Sequence, residues 1–268
     1  MHRAIYESCN SFFSTAYIKT INKYRDHGYA VDVWAKHLKS FGLGEFMGYD
    51  LPTGRRGKIP NSKLYNKVYN GWKWDGKTIV SNAIGQGDVE TTPIQLANFT
   101  AAIANKGFYY TPHILKKVAG EAIKNKKYTV PKKTSIAAKH FEPIIEAMHE
   151  VFKTGTGKLS QIKGIEICGK TGTVENSIKI IDGVKTQAPD HSILVAFAPK
   201  ENPKIAIAVF VENGGYGSTI AAPISSLIIE KYLKEKISKP WVEKRMLALS
   251  LQEVYDKQNS KEIAPGTK

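Results

Sequence analysis

The chain has 268 residues, 42% of them hydrophobic, which is enough for one large buried core or two smaller ones. Its 39 basic and 24 acidic residues give a formal charge of +15, a balance that would suit nucleic acid, anionic lipid or a carboxylate-rich polymer. The lysines are scattered, however, and no zinc-finger spacing, RNA-binding sheet motif or basic heptad region accompanies them. We therefore expect no nucleic-acid partner.

Neither a membrane anchor nor a disulfide framework is predicted within the chain. No stretch approaches the roughly 18 apolar residues of a membrane span, and residues 1–20 lack the pattern of a secretion signal. Any anchor of the natural protein is therefore expected outside this chain. The two cysteines, Cys9 and Cys168, are interpreted as buried thiols.

The first half of the chain is predicted to be mainly helical. Apolar residues recur at helical spacing from Phe13 to Tyr24, after Asn10, and again from Val31 to Phe41, after a break at Gly28. Residues 42–80 are rich in Gly, Pro, Trp and Lys without a clean period. We predict a long loop with short turns there, a kind of segment that is usually functional.

Two more helices are predicted after this loop. Thr92 is a good helix N-cap, Pro93 suits the first helical position, and Gln95 can complete a capping box. That helix should stop near Gly107. Helical spacing of apolar residues from Phe141 to Phe152 predicts the second helix.

The second half of the chain has the pattern of strands. Three runs typical of strands span Ile165 to Thr173, Ile193 to Ala198 and Ile205 to Val211. The first run carries Cys168 and Lys170 on one face. A tight hairpin turn is predicted at Asp182-Gly183.

A helix is predicted to follow these strands, with Ser218 as its cap. Its expected apolar stripe consists of Ile220, Ile224, Leu227, Ile228 and Leu233. Three antiparallel strands backed by this helix would form the sheet half of an α+β domain. The polar content rises from Ser238 onward, and we expect the end after Lys257 to be disordered.

Two short motifs, Ser8-Cys9-Asn10 and Lys170-Thr171-Gly172-Thr173, point to acyl-transfer chemistry. Serine β-lactamases and penicillin-binding proteins combine a Ser-x-Asn and a Lys-Thr-Gly motif with a third, Ser-x-x-Lys, which supplies the nucleophilic serine. Such a site needs a base for the hydroxyl proton and two donors for the developing oxyanion.

The residue types of both motifs suit parts of this task. Lys170 would attract a substrate carboxylate, Thr171 and Thr173 would add hydroxyl donors, and the Thr173 amide is a candidate oxyanion donor. Gly172 would let the substrate backbone approach the strand closely. In the other motif, Ser8 would relay a proton, and Asn10 would hold a substrate amide through its donor and its acceptor.

The chain resembles the transpeptidase domain of class B penicillin-binding proteins over residues 1–236. Trp74, Gly76, Thr78 and Ile79 resemble the elongation type, penicillin-binding protein 2, most. The motifs that carry the family resemblance are Ser8-Cys9-Asn10-Ser11-Phe12-Phe13, Ile84-Gly85-Gln86-Gly87, Thr92-Pro93-Ile94-Gln95-Leu96-Ala97, Gly155-Thr156-Gly157, Gly169-Lys170-Thr171-Gly172-Thr173 and Val195-Ala196-Phe197-Ala198-Pro199.

The resemblance implies a serine D,D-transpeptidase that cross-links peptidoglycan stem peptides ending in D-Ala-D-Ala and that β-lactams acylate. It implies Ser8, Asn10, Lys170 and Thr173 as catalytic residues, with Thr171 and Gly172 binding the substrate. No metal or cofactor is implied. The implied partners are cell-wall elongation proteins that include a glycosyltransferase. The implied location is the cell envelope, with the full-length protein anchored in the inner membrane and facing the periplasm.

The chain departs from the family pattern in its first residues. In the family, Ser-x-x-Lys lies several dozen residues before Ser-x-Asn, whereas only seven residues precede Ser8 here. The one literal match, Ser160-Gln161-Ile162-Lys163, lies in a connector and is interpreted as coincidence. The nucleophile is therefore expected outside this chain, which alone would be inactive.

In the family, further strands of the sheet lie upstream of the nucleophile helix, and we expect them to be absent from this chain. The strand from Ile205 to Val211 would lose a neighbour and leave an exposed edge. Our hypothesis is that a second copy of the chain covers this edge.

Two classes of function stay open from the sequence. The first is part of a transpeptidase, as a fragment or a mis-started gene product, and the second is a non-catalytic module that binds cell-wall peptides or partner proteins. A β-lactamase or a β-lactam sensor is a weaker third option, which the Gly-Gln-Gly and Thr-Pro segments disfavour.

The predicted fold class is α+β, a partial penicillin-binding fold with an antiparallel sheet backed by helices and a helical subdomain. Residues 1–236 form the transpeptidase part, mainly helical over 1–160 and sheet with helix over 161–236. Residues 237–268 form a polar tail.

Overall fold

The computed structural model describes residues 1–176, 178–181 and 184–259, and the chain divides into two compact units, Met1–Glu150 and Val151–Lys268. The first unit is mainly helical. Its helices are α1 (His2–Tyr6), α2 (Asn10–Asn22), α3 (His27–Lys39), α4 (Ser62–Tyr69), α5 (Pro93–Ala104), α6 (Lys126–Thr129) and α7 (Glu142–Lys153), the last of which continues into the second unit. Short antiparallel pairs join β1 (Phe108–Tyr109) to β4 (Lys132–Lys133) and β2 (Lys117–Val118) to β3 (Glu121–Ala122).

The core of the first unit forms around helix α2. Tyr17 and Ile21, one turn apart, are buried in a cluster with residues from α3, α4 and the segment before Ile84. Asn82 lies in this cluster and donates to the hydroxyl of Tyr65 at 2.6 Å and to that of Tyr17 at 3.4 Å. Burial raises the pKa of both tyrosines. The predicted helical spacing of α2 thus builds a core with a satisfied polar centre.

Helix α5 begins with the predicted capping box. The Thr92 hydroxyl accepts from the backbone amide of Gln95, and the side-chain oxygen Oε1 of Gln95 accepts from the backbone amide of Thr92. The side-chain nitrogen Nε2 of Gln95 also donates to the backbone carbonyl oxygens of Glu45 and Arg56. The helix ends at Ala104, near the predicted stop. One buried side chain therefore caps a helix and holds a distant loop.

The prediction of a long loop with short turns over residues 42–80 is wrong where helix α4 lies within it. The Asn61 side chain caps α4 by accepting from the Leu64 amide at 3.0 Å. Asp32 of α3 accepts from both the amide and the hydroxyl of Ser62. The helix buries one large side chain, Tyr65, and one anchor in eight residues produces no readable period.

The second unit contains the predicted antiparallel sheet. Its strands are β5 (Cys168–Val174), β6 (Ile178–Ile181), β7 (Val184–Gln187), β8 (His191–Ala198) and β9 (Ile205–Val211). Strand β8 lies between β5 and β9, and β6 pairs separately with β7. Asp182 and Gly183, where a turn was predicted, lie outside the described residues.

Strand β5 starts later than predicted, at Cys168, because Ile165 folds back to donate to the Ile162 carbonyl at 3.1 Å. Strand β9 matches its predicted bounds. In the part of the chain that the structure describes, β9 pairs with β8 alone, so it forms the predicted exposed edge. What covers this edge stays a prediction.

Helix α8 (Ala221–Lys234) packs on β8 and β9, but its predicted cap and stripe are wrong. The residue before the helix is Ile220, and the first amide, of Ala221, donates to the hydroxyl of Ser192 on β8 at 3.1 Å. Ile228 of the predicted stripe is 44% exposed. The buried face instead carries Ala222, Ser225, Ser226, Ile229 and Glu230. Small side chains let the helix approach the sheet closely, and the apolar period therefore did not mark the buried face.

Two further helices, α9 (Pro240–Leu247) and α10 (Gln252–Asn259), complete the second unit. Residues 260–268 lie outside the described residues. The predicted domain boundaries at residues 160 and 236 stay predictions.

Candidate active site

The Ser-x-Asn motif occupies a sharp turn between α1 and α2. The Ser8 amide donates to the Ile5 carbonyl at 3.2 Å, and the Cys9 amide donates to the Ala4 carbonyl at 2.9 Å. This pair of bonds is a Schellman motif, and Ser8 holds its left-handed position with φ of 57°. Glycine is the usual residue there, because a Cβ is disfavoured at positive φ. The turn therefore fixes where Ser8 and Asn10 lie at the start of α2.

The side chains of this motif differ in exposure. Ser8 is half-buried, whereas Cys9 and Asn10 are exposed. The expectation that both cysteines are buried is wrong for Cys9, because it precedes a helix at the surface, and correct for Cys168. Asn10 is thus accessible to a ligand.

The Lys-Thr-Gly motif lies in the middle of β5. Lys170 is half-buried opposite Val195 of β8, and its Nζ donates to the Thr171 carbonyl at 2.7 Å. Burial lowers the pKa of Lys170 to about 8. The strand thus holds a cation whose charge is lost in the mildly alkaline range.

The hydroxyl of Thr171 is bound within the protein. Its Oγ1 lies 2.6 Å from Oγ1 of Thr156, a residue in the turn after α7. In the sequence Thr156 is part of a Gly-Thr-Gly turn, and its contact with β5 is not visible there. Thr156 therefore positions the Thr171 side chain.

Neighbouring residues leave no room for a side chain at Gly172. A Cβ there would lie 2.5 Å from Cγ2 of Ile193 on β8, and a Cβ at Gly217 would collide with the Gly172 carbonyl oxygen. The Gly217 amide also donates to Oγ1 of Thr173 at 3.4 Å. Two glycines thus bring the segment before α8 against β5.

A hydrogen-bond network holds the segment that contains Gly217. The Ser192 hydroxyl donates to the Tyr216 carbonyl at 3.0 Å, while it accepts from the first amide of α8. The Asn213 amide donates to Nδ1 of His191 at 3.0 Å, and the Asn213 side chain accepts from Asn176 at 2.7 Å. The surroundings of Thr173 are therefore held by buried and half-buried polar groups that the sequence pattern does not reveal.

The literal Ser-x-x-Lys match does not have the geometry of a nucleophile. Ser160 ends a single 3-10 turn, Lys158–Ser160, and its carbonyl oxygen accepts from the Ser226 hydroxyl. Lys163, on the other hand, is exposed in a loop. This placement supports its interpretation as coincidence.

The sequence contains a second Lys-Thr-Gly triplet, Lys153-Thr154-Gly155. It lies where helix α7 ends, and Lys153 is exposed. Since a substrate-binding triplet needs a strand with exposed backbone groups, only the copy on β5 suits the site. The alternating pattern of a strand around Cys168 is the sequence feature that distinguishes the triplet on β5 from the triplet at Lys153.

The structure groups the predicted site residues into two sets. Ser8 and Asn10 lie together at the start of α2 in the first unit, and Lys170, Thr171, Gly172 and Thr173 lie together on β5 in the second unit. Their catalytic and substrate-binding roles stay predictions.

The family model of the penicillin binding protein transpeptidase domain matches residues 1–230. The chain belongs to this family. Within the family the chain is similar to the PBP2 (MrdA) type of class B. The family and the α+β fold expected from the sequence are thus confirmed.

Individual relatives agree with this assignment. The chain is 31% identical to the peptidoglycan D,D-transpeptidase MrdA of Acinetobacter baumannii over 249 residues, which cover 90% of this chain and 35% of the relative. It matches the crystal structure of Pseudomonas aeruginosa PBP2 in complex with WCK 5153 with a TM-score of 0.71 and 28% identity, covering 87% of this chain and 49% of the other. It also matches the structure of Helicobacter pylori PBP2 in complex with MreC with a TM-score of 0.67 and 28% identity. This match covers 86% of this chain and 39% of the other.

The chain therefore spans roughly a third of the length of the curated MrdA relatives that it matches. Among the described residues, the structure has no helix with the length and apolar character needed to cross a membrane.

Proposed function

We propose that this chain carries two motifs, one on α2 and one on β5, of a serine D,D-transpeptidase that cross-links peptidoglycan stem peptides ending in D-Ala-D-Ala. The observation that carries the proposal is the half-buried Lys170 within a Lys-Thr-Gly strand, in a chain that belongs to the transpeptidase family over residues 1–230. The peptide's terminal carboxylate is the natural partner of this cation.

The residues of the β5 motif would bind and orient the end of the peptide. Lys170 attracts the carboxylate, and the Thr173 hydroxyl donates to it while Gly217 holds that hydroxyl in place. The Thr173 amide donates to the oxyanion that develops when the serine attacks the carbonyl. Thr171 and Gly172 shape the strand against which the peptide lies.

The residues of the α2 motif would hold a substrate amide and transfer a proton. Asn10 is exposed and offers both a donor and an acceptor to a substrate amide. Ser8 is held by its turn at a defined position, where its hydroxyl relays a proton between the nucleophile and the leaving amine.

The nucleophile in this proposal comes from a Ser-x-x-Lys upstream of Met1, and the chain alone does not form an acyl-enzyme. The test is labelling with a fluorescent penicillin, on this chain and on a version extended upstream in the gene. We expect covalent label on the extended protein and none on the shorter chain. Lys170→Ala in the extended protein should reduce the labelling rate by roughly tenfold or more, since a charge-assisted contact is lost.

Ser160→Ala is the matched control and should change neither result. Stable label on the shorter chain that Ser160→Ala abolishes would overturn the assignment of the nucleophile. An extended protein that carries Ser-x-x-Lys and takes no label would instead favour a non-catalytic module that binds cell-wall peptides.

The proposed setting is the cell envelope, with the full-length protein anchored in the inner membrane. The structure of Helicobacter pylori PBP2 with MreC supports a partner among cell-wall elongation proteins. We include β-lactams as acylating ligands and a glycosyltransferase as a partner in this proposal.

A further inference from the structure

A wide surface cleft in the first unit lies apart from both motifs. It has a volume of about 970 Å³ and is bordered by the end of the α2–α3 connection, by α4 and by the loop after α4. This volume is at the upper end of the roughly 300–1,000 Å³ of small-molecule sites. The proposed transpeptidase chemistry uses none of its residues.

Two indole rings dominate the cleft. Trp72 is 81% exposed, an unusual state for the largest apolar side chain. Trp74 is half-buried, and its Nε1 donates to Oδ1 of Asn66 at 3.0 Å, which fixes the ring in the wall. The cleft therefore presents one fixed and one accessible aromatic surface.

Three polar side chains line the same cleft, each with one atom used in folding and one left over. Oδ1 of Asp26 accepts from the Tyr29 amide, and Oδ1 of Asp75 accepts from the amides of Lys77 and Thr78. Oδ1 of Asn66 is used by Trp74. Within the described residues, Oδ2 of each aspartate and Nδ2 of Asn66 have no hydrogen-bond partner. The side chains are thus held in place with a donor and two acceptors available.

The charges of the cleft select among ligand classes. Arg25 and Lys73 line it together with Asp26 and Asp75, so the cations and carboxylates balance. An acidic ligand would meet the carboxylates and a cationic ligand would meet the arginine and lysine, each at a cost. A neutral ligand with many hydroxyl and amide groups and with apolar C–H faces matches the rings and the available polar atoms.

We propose that this cleft binds a carbohydrate chain, with a sugar ring stacked on Trp72 and its hydroxyls bonded to Asp26, Asp75 and Asn66. Its identity as the β-1,4-linked N-acetylhexosamine strand of peptidoglycan rests on the proposed function. The 13-residue helix α2 separates the cleft from Ser8 and Asn10 by about 20 Å, which about six extended residues span. A peptide branch on the bound strand therefore has the reach to return to the α2 motif.

The probe is chitotetraose, a neutral β-1,4-linked N-acetylglucosamine oligomer, titrated calorimetrically into the full chain. We expect saturable binding that Trp72→Ala weakens about tenfold, as lost ring contacts would predict. Trp241→Ala is the matched control, because Trp241 is 64% exposed and lies in the other unit. It should leave the affinity unchanged.

A second variant separates binding from folding. Asp26→Asn keeps the Oδ1 acceptor that caps α3, since Asn and Asp are equally good caps, but replaces Oδ2 by a donor. It should weaken chitotetraose binding several-fold at an unchanged melting temperature. Equal affinity of wild type, Trp72→Ala and Asp26→Asn would overturn the proposal, as would no binding at millimolar chitotetraose.

Hexaglutamate tests the rival class of ligand. Binding of hexaglutamate that depends on Arg25 and Lys73, without binding of chitotetraose, would assign the cleft to an acidic partner. Calorimetry on the chain requires no nucleophile, whereas penicillin labelling does. If the extended protein takes no penicillin label while the chain binds chitotetraose, only the proposed function is contradicted.

Discussion

At Ser8 the backbone takes a left-handed conformation that a side chain disfavours by about 1–2 kcal/mol. Strain of this kind persists where the surrounding structure enforces it and is frequent at functional sites. Here the two bonds of the Schellman motif enforce it and set the direction in which α2 starts.

Replacement of Ser8 by glycine separates the conformation from the hydroxyl. We expect Ser8→Gly to raise the free energy of unfolding by about 0.5–1 kcal/mol, because glycine accepts positive φ. In the extended protein it should also lower penicillin labelling, because the hydroxyl is lost. Urea denaturation and labelling rates measure the two effects.

Glu235→Gly provides the control, since Glu235 ends α8 in the same conformation with φ of 58°. It should stabilise the protein similarly and leave labelling unchanged. A Ser8→Gly protein that labels at the wild-type rate would remove Ser8 from the proposed mechanism.

The buried amine of Lys170 makes stability depend on pH in a defined direction. Its folded pKa of about 8 lies below the value of about 10.4 for an exposed lysine. Between these two values the unfolded chain binds more protons than the folded one, so the folded state gains stability as pH rises. Below pH 8 both states are protonated, and the full cost of burying the charge remains.

We therefore predict that the unfolding free energy of wild type, relative to Lys170→Met, rises between about pH 8 and 10, by at most about 3 kcal/mol. Denaturation with urea at a series of pH values measures this difference, and titration of other groups cancels. Lys153→Met removes the lysine of the exposed triplet and serves as the control. A difference that is independent of pH would contradict the assigned pKa.

At the scale of elements, helix α8 shows how a strand can cap a helix. The buried Ser192 hydroxyl of β8 joins the first amide of α8 to the Tyr216 carbonyl. Thr219, which is exposed, donates to the same carbonyl oxygen at 2.8 Å. The two hydroxyls therefore share one acceptor and differ in burial.

This difference predicts unequal effects of two small truncations. Ser192→Ala should destabilise the protein by about 1–3 kcal/mol, because it leaves a buried amide without its acceptor. Thr219→Ala should cost less than about 0.5 kcal/mol, because water replaces the exposed hydroxyl. Thermal unfolding of both variants compares them, and equal losses would show that burial does not set the cost.

At the scale of the whole molecule, the described sheet ends at β9. Every second amide of β9 points away from β8, and such an edge is a template for another strand. Under the hypothesis of a second copy, these amides become protected as the chain associates.

We predict that hydrogen exchange of these β9 amides slows as protein concentration rises, with light scattering reporting a dimer. The amides between β5 and β8, which are bonded within the chain, are the internal reference. A monomer whose β9 amides exchange rapidly at all concentrations would contradict the hypothesis.

The sequence by itself determined the features that depend on local chemistry. Thr92, Pro93 and Gln95 predicted the start of α5, and the apolar run from Ile205 to Val211 predicted β9 with its bounds. The set of short motifs between Ser8 and Pro199 predicted the family. Caps, periods and motifs are properties of neighbouring residues and can be read without the fold.

Only the tertiary structure decided the features that depend on distant residues. It placed Ser192 at the start of α8, buried the small-residue face of that helix, and exposed Cys9. The fold also buries Lys170, which lowers its pKa, and brings Thr156 into contact with Thr171. These features depend on contacts between residues that are far apart in sequence and that meet only when the chain folds.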